Sequence, residues 1–481
     1  MDLLRKQYVS APLVIDLDGT LIHSDLLLES GLSFLKLHPL KALTPVRWLA
    51  QGKANLKSRL AHMAPLDVSV LPYNEDVLAL IRQERQNGRR IILATASHHS
   101  YAQRIADHLG VFDQVMATDE NTNLSAERKR DALVAEFGMQ GFDYAGNSAD
   151  DLPVWQAARR AYVVNSNGKI SRRAHDHGNV ESEIKREIKV ARTWLKALRV
   201  HQWAKNALIF VPLLASHRLL EPQLLLNGLL AFLFFGLCAS SVYILNDLLD
   251  LEDDRHHATK RRRPFASGAI SIQSGLFAFP ALLLIGFIGS ALLLPWKFGL
   301  ALAAYYLLTL AYSFWLKRRM AVDVIVLAML YTSRIIAGTF AFDVKLTFWM
   351  LAFSMFIFLS LALVKRYAEL REARMKGKSQ KTRGRGYYPD DLEMISSLGA
   401  ASGYLSVMVL ALYIQDATTA AMYHYPQLIW LACPLLLFWI TRVWMLTHRG
   451  LMHDDPVVFA IKDRASLMIG AFFALIFWVA A

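Results

Sequence analysis

Two groups of oxygen-bearing side chains carry the chemistry legible in this sequence. The first is Asp16 and Asp18, two residues apart at the end of a short apolar run. The second is Asn246, Asp247, Asp250 and Asp254. Positions i, i+4 and i+8 share one helix face, so Asn246, Asp250 and Asp254 form a stripe with Asp247 one step round. Carboxylates crowded in this way repel one another, and the usual remedy is a hard divalent cation held by oxygen ligands. Mg2+ is the expected ion, since it typically also bridges substrate phosphates. Lys260, Arg261, Arg262 and Arg263 follow on the same stretch, a counter-charge suited to phosphate. The competing reading is a solvated acidic turn followed by the basic residues that mark the cytoplasmic edge of a membrane span.

The elements that must position these groups differ between the two halves of the chain. The 481 residues suggest two or three domains. Residues 1 to about 200 have the composition of an ordinary soluble domain. From about 205 onward long apolar runs alternate with short charged loops, the pattern of a polytopic membrane protein. The net charge of +13 could suggest nucleic acid, but much of it sits in loops beside apolar spans, so no nucleic-acid partner is expected. Cys238 and Cys433 both lie within apolar runs and indicate neither a disulfide framework nor a thiolate metal site. The apolar segment 11–17 is too short for a signal peptide and runs straight into acidic residues. The N-terminal domain is therefore expected in the cytoplasm.

In the soluble half, residues 12–21 read as a buried strand broken by Gly19, with Asp16 and Asp18 at its C-terminal end, where ligands sit in open α/β sheets. A second strand over 90–97 ends in the hydroxyls of Thr95 and Ser97 and is followed by a helical pattern over 100–109. Lys129 lies near the start of a helix over 127–137. A third strand over 142–145 leads into an acidic loop containing Asn147 and Asp151. These four pieces, in this order, resemble the haloacid dehalogenase (HAD) phosphatase superfamily. The resemblance implies an α/β, Rossmannoid domain over 1–170 with Asp16 as the nucleophile that forms an aspartyl phosphate. It implies Asp18 as general acid and base, Thr95 and Lys129 on the phosphoryl oxygens, and Mg2+ held by Asp16, Asp18, Asn147 and Asp151. The family's fourth motif usually begins Gly-Asp; here Asn147 offers an uncharged oxygen instead. Residues 24–85 read as a mostly helical cap over the site.

Between the halves, residues 168–180 read as a polar loop. Residues 181–198 read as an amphipathic interfacial helix with Ile184, Ile188, Ala191, Leu195 and Leu198 on one face, making 171–204 a linker region. Nine candidate spans follow, at 205–219, 223–245, 273–294, 297–316, 321–341, 345–364, 394–415, 425–446 and 464–481. The first is short. With the soluble domain inside, the loops 246–272, 317–320, 365–393 and 447–463 are cytoplasmic and carry 5, 3, 9 and 2 Lys and Arg. The opposite loops hold only Arg218, Lys297 and Lys345, which orients the chain. Asp323 and Arg334 fall inside apolar stretches, where charges are costly and are either functional or paired with each other.

An all-α polytopic domain over 205–481, with about nine transmembrane helices and an NDxxDxxxD motif after the second, resembles the UbiA superfamily of intramembrane prenyltransferases. Most members carry a second Asp-rich motif in the loop after the sixth span. Here that loop holds Lys365, Arg366 and Glu369 and then a basic run through Arg385. A branch with similar features is the decaprenyl-phosphate phosphoribosyltransferases, which this chain matches at Arg199, Gln202, Trp203, Lys205 and Asn206. It matches again at Arg255, His257, Thr259, Lys260, Arg263 and Pro264, and at Lys365, Arg366 and Glu369. Val200 and Ala258 replace family prolines. The resemblance implies 5-phosphoribosyl diphosphate (PRPP) as donor and a polyprenyl phosphate as acceptor. Asn246, Asp247, Asp250 and Asp254 would hold Mg2+, with Asp247 and Asp250 catalytic. Lys205, Asn206, Lys260, Arg263, Lys317, Lys365 and Arg366 would bind substrate. The expected setting is a bacterial-type inner membrane, with the HAD domain removing the 5-phosphate of the product. The alternative is an aromatic prenyltransferase with a prenyl diphosphate donor.

Overall fold

The computed structural model describes residues 11–119, 123–216, 218–377, 386–416, 423–452 and 455–480. The chain divides into two compact units. One is Met1–Leu198 with Tyr243–Ala278; the other is Arg199–Val242 with Phe279–Ala481.

The first unit is built on a six-stranded parallel sheet with strand order β3-β2-β1-β4-β5-β6. The strands are β1 Leu13–Ile15, β2 Ile91–His98, β3 Gln114–Thr118, β4 Asp143–Gly146, β5 Ala161–Val164 and β6 Val180–Ile184. The central strands are apolar without a break because helices cover both faces. Leu13, Ile15, Ile91 and Leu93 pack against Val77, Ile81 and Ile105 on one side. Val14, Ile92 and Ala94 pack against Leu133, Val154 and Trp155 on the other, as the two-residue alternation of a strand requires. The chain leaves β1 for β2 and β3, then returns to the other side for β4 onward. The switch point therefore falls between β1 and β4, and ligand crevices form at the C-terminal ends of such strands.

Three expectations change here. β3 was not anticipated, since its residues are half-buried at the sheet edge and carry little apolar signal. Residues 168–180 are not a loop: Gly168–His175 is a helix whose start is capped by the Asn167 side chain accepting from the Lys169 and Ile170 N–H groups. The helix expected over 181–198 is only Val190–Ala197, because residues 180–184 join the sheet edge as β6. The α/β fold thus runs on to Ile184 rather than stopping near 170. In the cap, helices Leu26–Leu37, Thr44–Ala50 and Lys53–Met63 bury a small core of Phe34, Trp48, Leu56, Leu60 and Ala64. Helix Glu75–Gln86 belongs to the sheet layer instead.

Among the described residues, seven helices are long and apolar enough to cross a membrane, and a pair bent by 81°, Pro456–Lys462 with Arg464–Ala480, makes an eighth if counted as one span. The protein is an integral membrane protein. The first expected span, 205–219, is not one long α-helix but a 3-10 stretch, Val200–Phe210, followed by a one-turn helix, Val211–Ala215. Helix Ile272–Leu293 exposes Phe277, Leu284, Ile285, Ile288 and Leu292, a surface suited to hydrocarbon. Most of the basic run ending at Arg385 lies in 378–385, outside the described residues. Helix Pro222–Leu249 carries the chain into the acidic motif, and Leu251–His256 continues it after a bend at Asp250. The Asp250 N–H reaches the Asn246 carbonyl at 2.9 Å and the Asp254 N–H reaches that of Asp250 at 2.8 Å, so the helical ladder persists through the bend.

Candidate active sites

Asp16 leaves the end of β1 and is buried. Its Oδ1 accepts from Lys129 Nζ at 2.7 Å and its Oδ2 from Thr20 Oγ1 at 3.2 Å. Lys129 is buried too; it donates to the Tyr144 hydroxyl at 2.9 Å and stands 3.5 Å from Asp151 Oδ1. Burial favours the neutral amine, but Asp16 and Asp151 outweigh it and raise the Lys129 pKa, so the ammonium persists. Asp18 accepts from the Leu26 N–H at 2.8 Å and from Ser97 Oγ at 2.5 Å. Burial pushes its carboxyl up to about 7, with the like charge of Asp25 adding to the rise and the two hydrogen bonds opposing it. Burial also raises Asp16, to about 6, against the pull of Lys129. One acid that can carry a proton near neutrality and one carboxylate braced by an ammonium form a pair with separable acid and nucleophile roles.

The donor set fits Mg2+ in part. Thr20 Oγ1 stands 3.3 Å from Asn147 Oδ1, so Asp16 and Asn147 bring hard oxygens to one place. Gly19, at φ +78°, makes room for this: a Cβ there would lie 2.1 Å from Asn147 Nδ2. Asp151, expected as a metal ligand, is otherwise engaged. Its Oδ1 accepts from Tyr144 at 2.7 Å, and its Oδ2 accepts from the Asn147 and Ser148 N–H groups and the Ser148 hydroxyl. It shapes the loop and steadies Lys129. Thr95 is fully buried and accepts from the Ser97 N–H, so the hydroxyl that touches Asp18 is that of Ser97. From the cap, Lys57 Nζ donates to the Ala96 carbonyl at 2.6 Å. The cavity left beside Ser97 and Lys57 is about 10 Å³, lined also by Leu26, Leu27, Ser30, His98 and Tyr101.

At the acidic motif, Asp247 and Asp254 are both buried and share one partner. Arg263 Nη1 donates to Asp247 Oδ1 at 3.1 Å and to Asp254 Oδ2 at 2.7 Å. Burial raises the Asp254 pKa and Arg263 pulls it back. Asp250 turns to the cap: Lys36 Nζ donates to Asp250 Oδ1 and to Asp253 Oδ2, each at 2.8 Å. Among the described residues no three His, Cys, Asp or Glu side chains stand together as a metal site. The arginine and the lysine occupy the carboxylates instead, as cations standing where a metal ion would neutralise them. Mg2+ is usually bound through one or two carboxylates together with substrate phosphates. Lys260 lies exposed on the turn Lys260–Arg262.

The remaining expected residues lie in the second unit. Lys205 and Lys365 both donate to Asp455 Oδ2, at 2.8 and 3.2 Å, and Tyr331 donates to the same carboxylate. Asn206 Oδ1 accepts from Arg334 at 3.1 Å, and Arg334 stacks on Phe235 and Tyr305 with centroids 5.1 and 4.9 Å away. Lys317 is half-buried on the turn Leu316–Arg318. Arg366, expected to bind substrate, is fully buried and ion-paired with Asp323 at 2.8 Å and with Glu369. Its guanidinium is spent on protein carboxylates. Asp323 and Arg334 therefore do not pair with each other. Sequence reasoning missed Asp455, Tyr331, Lys57 and Lys36, and it noted the Ser97 hydroxyl without giving it a role. Asp455 precedes Pro456 and caps its helix by accepting from the Val457 N–H, so its sequence signal reads as a cap.

Comparison with known proteins agrees with both halves. The UbiA prenyltransferase family model matches residues 207–462, and the haloacid dehalogenase-like hydrolase model matches residues 13–156. The uncharacterized protein y4nM of Sinorhizobium fredii is 40% identical over 98% of this chain and 91% of its own length. The nodulation protein NoeC of Azorhizobium caulinodans is 35% identical over 59% of this chain and 92% of its own. A decaprenyl-phosphate phosphoribosyltransferase of Mycobacterium tuberculosis is 30% identical over 56% of this chain and 88% of its own. With the membrane half matched by one family model and the sheet domain by the other, the chain belongs to the UbiA prenyltransferase family and carries a haloacid dehalogenase-like domain ahead of its membrane-spanning region.

Proposed function

We propose that the membrane half transfers 5-phosphoribose from PRPP to a polyprenyl phosphate, and that the HAD domain then removes the 5-phosphate to leave polyprenyl-phosphoryl ribose. The observation that carries this reading is the Lys205 and Lys365 pair gathered on Asp455; Lys365 belongs to the loop after the sixth expected span, which lacks the second acidic motif expected of most UbiA relatives. PRPP carries a 5-phosphate besides its diphosphate, and a donor with two separate anionic groups calls for this extra positive charge. The likeness to the mycobacterial phosphoribosyltransferase supports the same donor.

In the transfer, an oxygen of the lipid phosphate bonds to C1 of the ribose as the C1–oxygen bond to pyrophosphate breaks. The acceptor is already anionic and needs little base catalysis, so the residues position the partners and neutralise the leaving group. Asn246, Asp247, Asp250 and Asp254 would hold Mg2+, which when bound offsets charge on the departing diphosphate. Lys260 and Arg263 flank that group. In the HAD domain, an Asp16 oxygen attacks the 5-phosphate, Asp18 protonates the departing ribose oxygen, and water, deprotonated by Asp18, releases phosphate from Asp16. Lys129 steadies the phosphoryl oxygens. Asp16 and Asn147 would hold Mg2+, which when bound offsets charge on the phosphoryl group. In this reading the N-terminal domain lies in the cytoplasm beside a bacterial-type inner membrane, an orientation that the excess of Lys and Arg in the loops on that side supports.

The test is mass spectrometry of the lipid formed from PRPP and polyprenyl phosphate by the purified protein. Wild type should yield polyprenyl-phosphoryl ribose, Asp16→Asn its 5-phosphate, and Asp250→Ala neither. Incorporation of a labelled prenyl diphosphate, with no incorporation from labelled PRPP, would replace this reading with an aromatic prenyltransferase.

A further inference from the structure

The cap helix Leu26–Leu37 touches both candidate sites of the first unit. At its start, the Leu26 N–H bonds Asp18. One turn on, Glu29 takes both Nη groups of Arg255 at 2.8 and 2.6 Å, and at its last turn Lys36 bridges Asp250 and Asp253. Asp253 is not part of the Asn246, Asp247, Asp250, Asp254 set, and its side chain is about two-thirds exposed, at 64%. Lys36 therefore holds one carboxylate of the acidic motif and one neighbour outside it, with equal distances to each.

We propose that Lys36 is a positioning residue for the acidic motif, contributed by the HAD cap. It neutralises Asp250 while the motif is metal-free and shifts its weight onto Asp253 when a divalent cation claims Asp250. The argument is electrostatic. Arg263 already bridges Asp247 and Asp254, so Asp250 is the carboxylate of the set that Lys36 alone neutralises among these partners. A divalent cation entering beside an ammonium is repelled by it, and the two compete for one oxygen. Asp253 lowers the cost of release because Lys36 keeps a partner after leaving Asp250. The Glu29–Arg255 pair, buried on both sides, keeps the helix in register meanwhile. The inference rests on the metal reading of the acidic motif given above.

The two carboxylates predict opposite effects, which a merely structural lysine would not produce. Mg2+ is titrated into the purified full-length protein, and hydrogen exchange of the 246–256 backbone reports occupancy of the motif without reference to catalysis. Lys36→Gln removes the competitor and should lower the half-saturating Mg2+ concentration, by about two- to fivefold for a partly exposed pair. Asp253→Asn removes the alternative partner, concentrates Lys36 on Asp250, and should raise it by a similar factor. In the Lys36→Gln background, Asp253→Asn should lose most of that effect. Shifts in the same direction for both single variants, or an Asp253→Asn effect undiminished without Lys36, would overturn the role of Lys36. If Mg2+ fails to protect 246–256 in the wild-type protein, the metal reading falls as well, and the two failures are thereby told apart. A loss of fold in Lys36→Gln would appear as exchange throughout β1, β2 and β4; Lys36→Met, of similar volume and no charge, then repeats the measurement.

Discussion

Glu29 and Arg255 lie 226 positions apart and meet through two parallel N–H···O bonds of 2.8 and 2.6 Å. The Glu29 side also accepts from the Ser24 hydroxyl, and Arg255 Nε donates to the Ala266 carbonyl at 2.9 Å. Both side chains are about 4% exposed. Gly268, at φ +66°, lets the backbone of the same loop approach His23, where a Cβ would lie 2.2 Å from the His23 carbonyl oxygen. A bidentate pair with its remaining polar atoms satisfied is the favourable form of a buried ion pair. The loop that carries the acidic motif is thereby fixed to the cap of the HAD fold.

Breaking that pair from one side strands a buried charge. Glu29→Ala should cost about 3–5 kcal/mol in the stability of the first unit, because Arg255 is left without a carboxylate. Glu29→Ala with Arg255→Met should recover much of the loss. Thermal unfolding of the two variants, followed by a probe in the sheet domain, measures the difference. Equal midpoints for the single and double variants would show that the pair itself contributes little.

Phosphomonoester hydrolysis by the HAD domain should depend on pH through Asp18. The group must be protonated to supply the leaving oxygen, and burial places its pKa at about 7. Activity on a small phosphomonoester should therefore fall as pH rises through about 7. Ser97 donates to the ionised form of Asp18, so Ser97→Ala removes a stabiliser of the charged state and should move the falling limb to higher pH. A limb that moves to lower pH would assign that ionisation to another group.

Lys365 and Arg366 are neighbours in sequence with opposite expected behaviour. Arg366 is buried against Asp323, which also accepts from the Tyr387 hydroxyl at 2.6 Å. Arg366→Leu leaves that carboxylate without its cation and should destabilise the membrane half by about 3–5 kcal/mol. Lys365 is half-buried on a carboxylate it shares with Lys205. Lys365→Ala should leave the thermal midpoint nearly unchanged while raising the KM for PRPP. Parallel measurement of midpoint and KM on the two variants separates a brace from a substrate contact.

The division of the chain was legible because it rests on patterns that survive tertiary context. Asp16 and Asp18 after an apolar run, and Lys129 at the head of a helix, carry fixed local signals, and the structure brings Asp16 and Lys129 to 2.7 Å. The NDxxDxxxD spacing marks the motif but not its faces: after the bend at Asp250, Arg263 joins Asp247 to Asp254 while Asp250 meets Lys36. What was not legible depends on partners distant in sequence. Arg366 reads as a basic residue in a basic loop, and only Asp323, on another helix, shows that its charge is consumed. Lys36 reads as a solvated helix lysine until Asp250 and Asp253 stand beside it. Residues 180–184 fit either an amphipathic helix or a strand, and the neighbouring strand β5 decided in favour of the sheet.

Asp455 holds Lys205, Lys365 and Tyr331 at once, and its charge competes with any anion those lysines would bind. Asp455→Asn keeps an oxygen for Tyr331 and for the Val457 N–H but removes the negative charge. The two ammonium groups then lack a counter-charge and should take up the donor's 5-phosphate more readily, by about tenfold, equivalent to roughly 1.4 kcal/mol. Tighter inhibition of transfer by ribose 5-phosphate is the expected reading. Weaker or unchanged inhibition would mean that Asp455 serves to set the helix Pro456–Lys462 and that the lysines do not meet the donor.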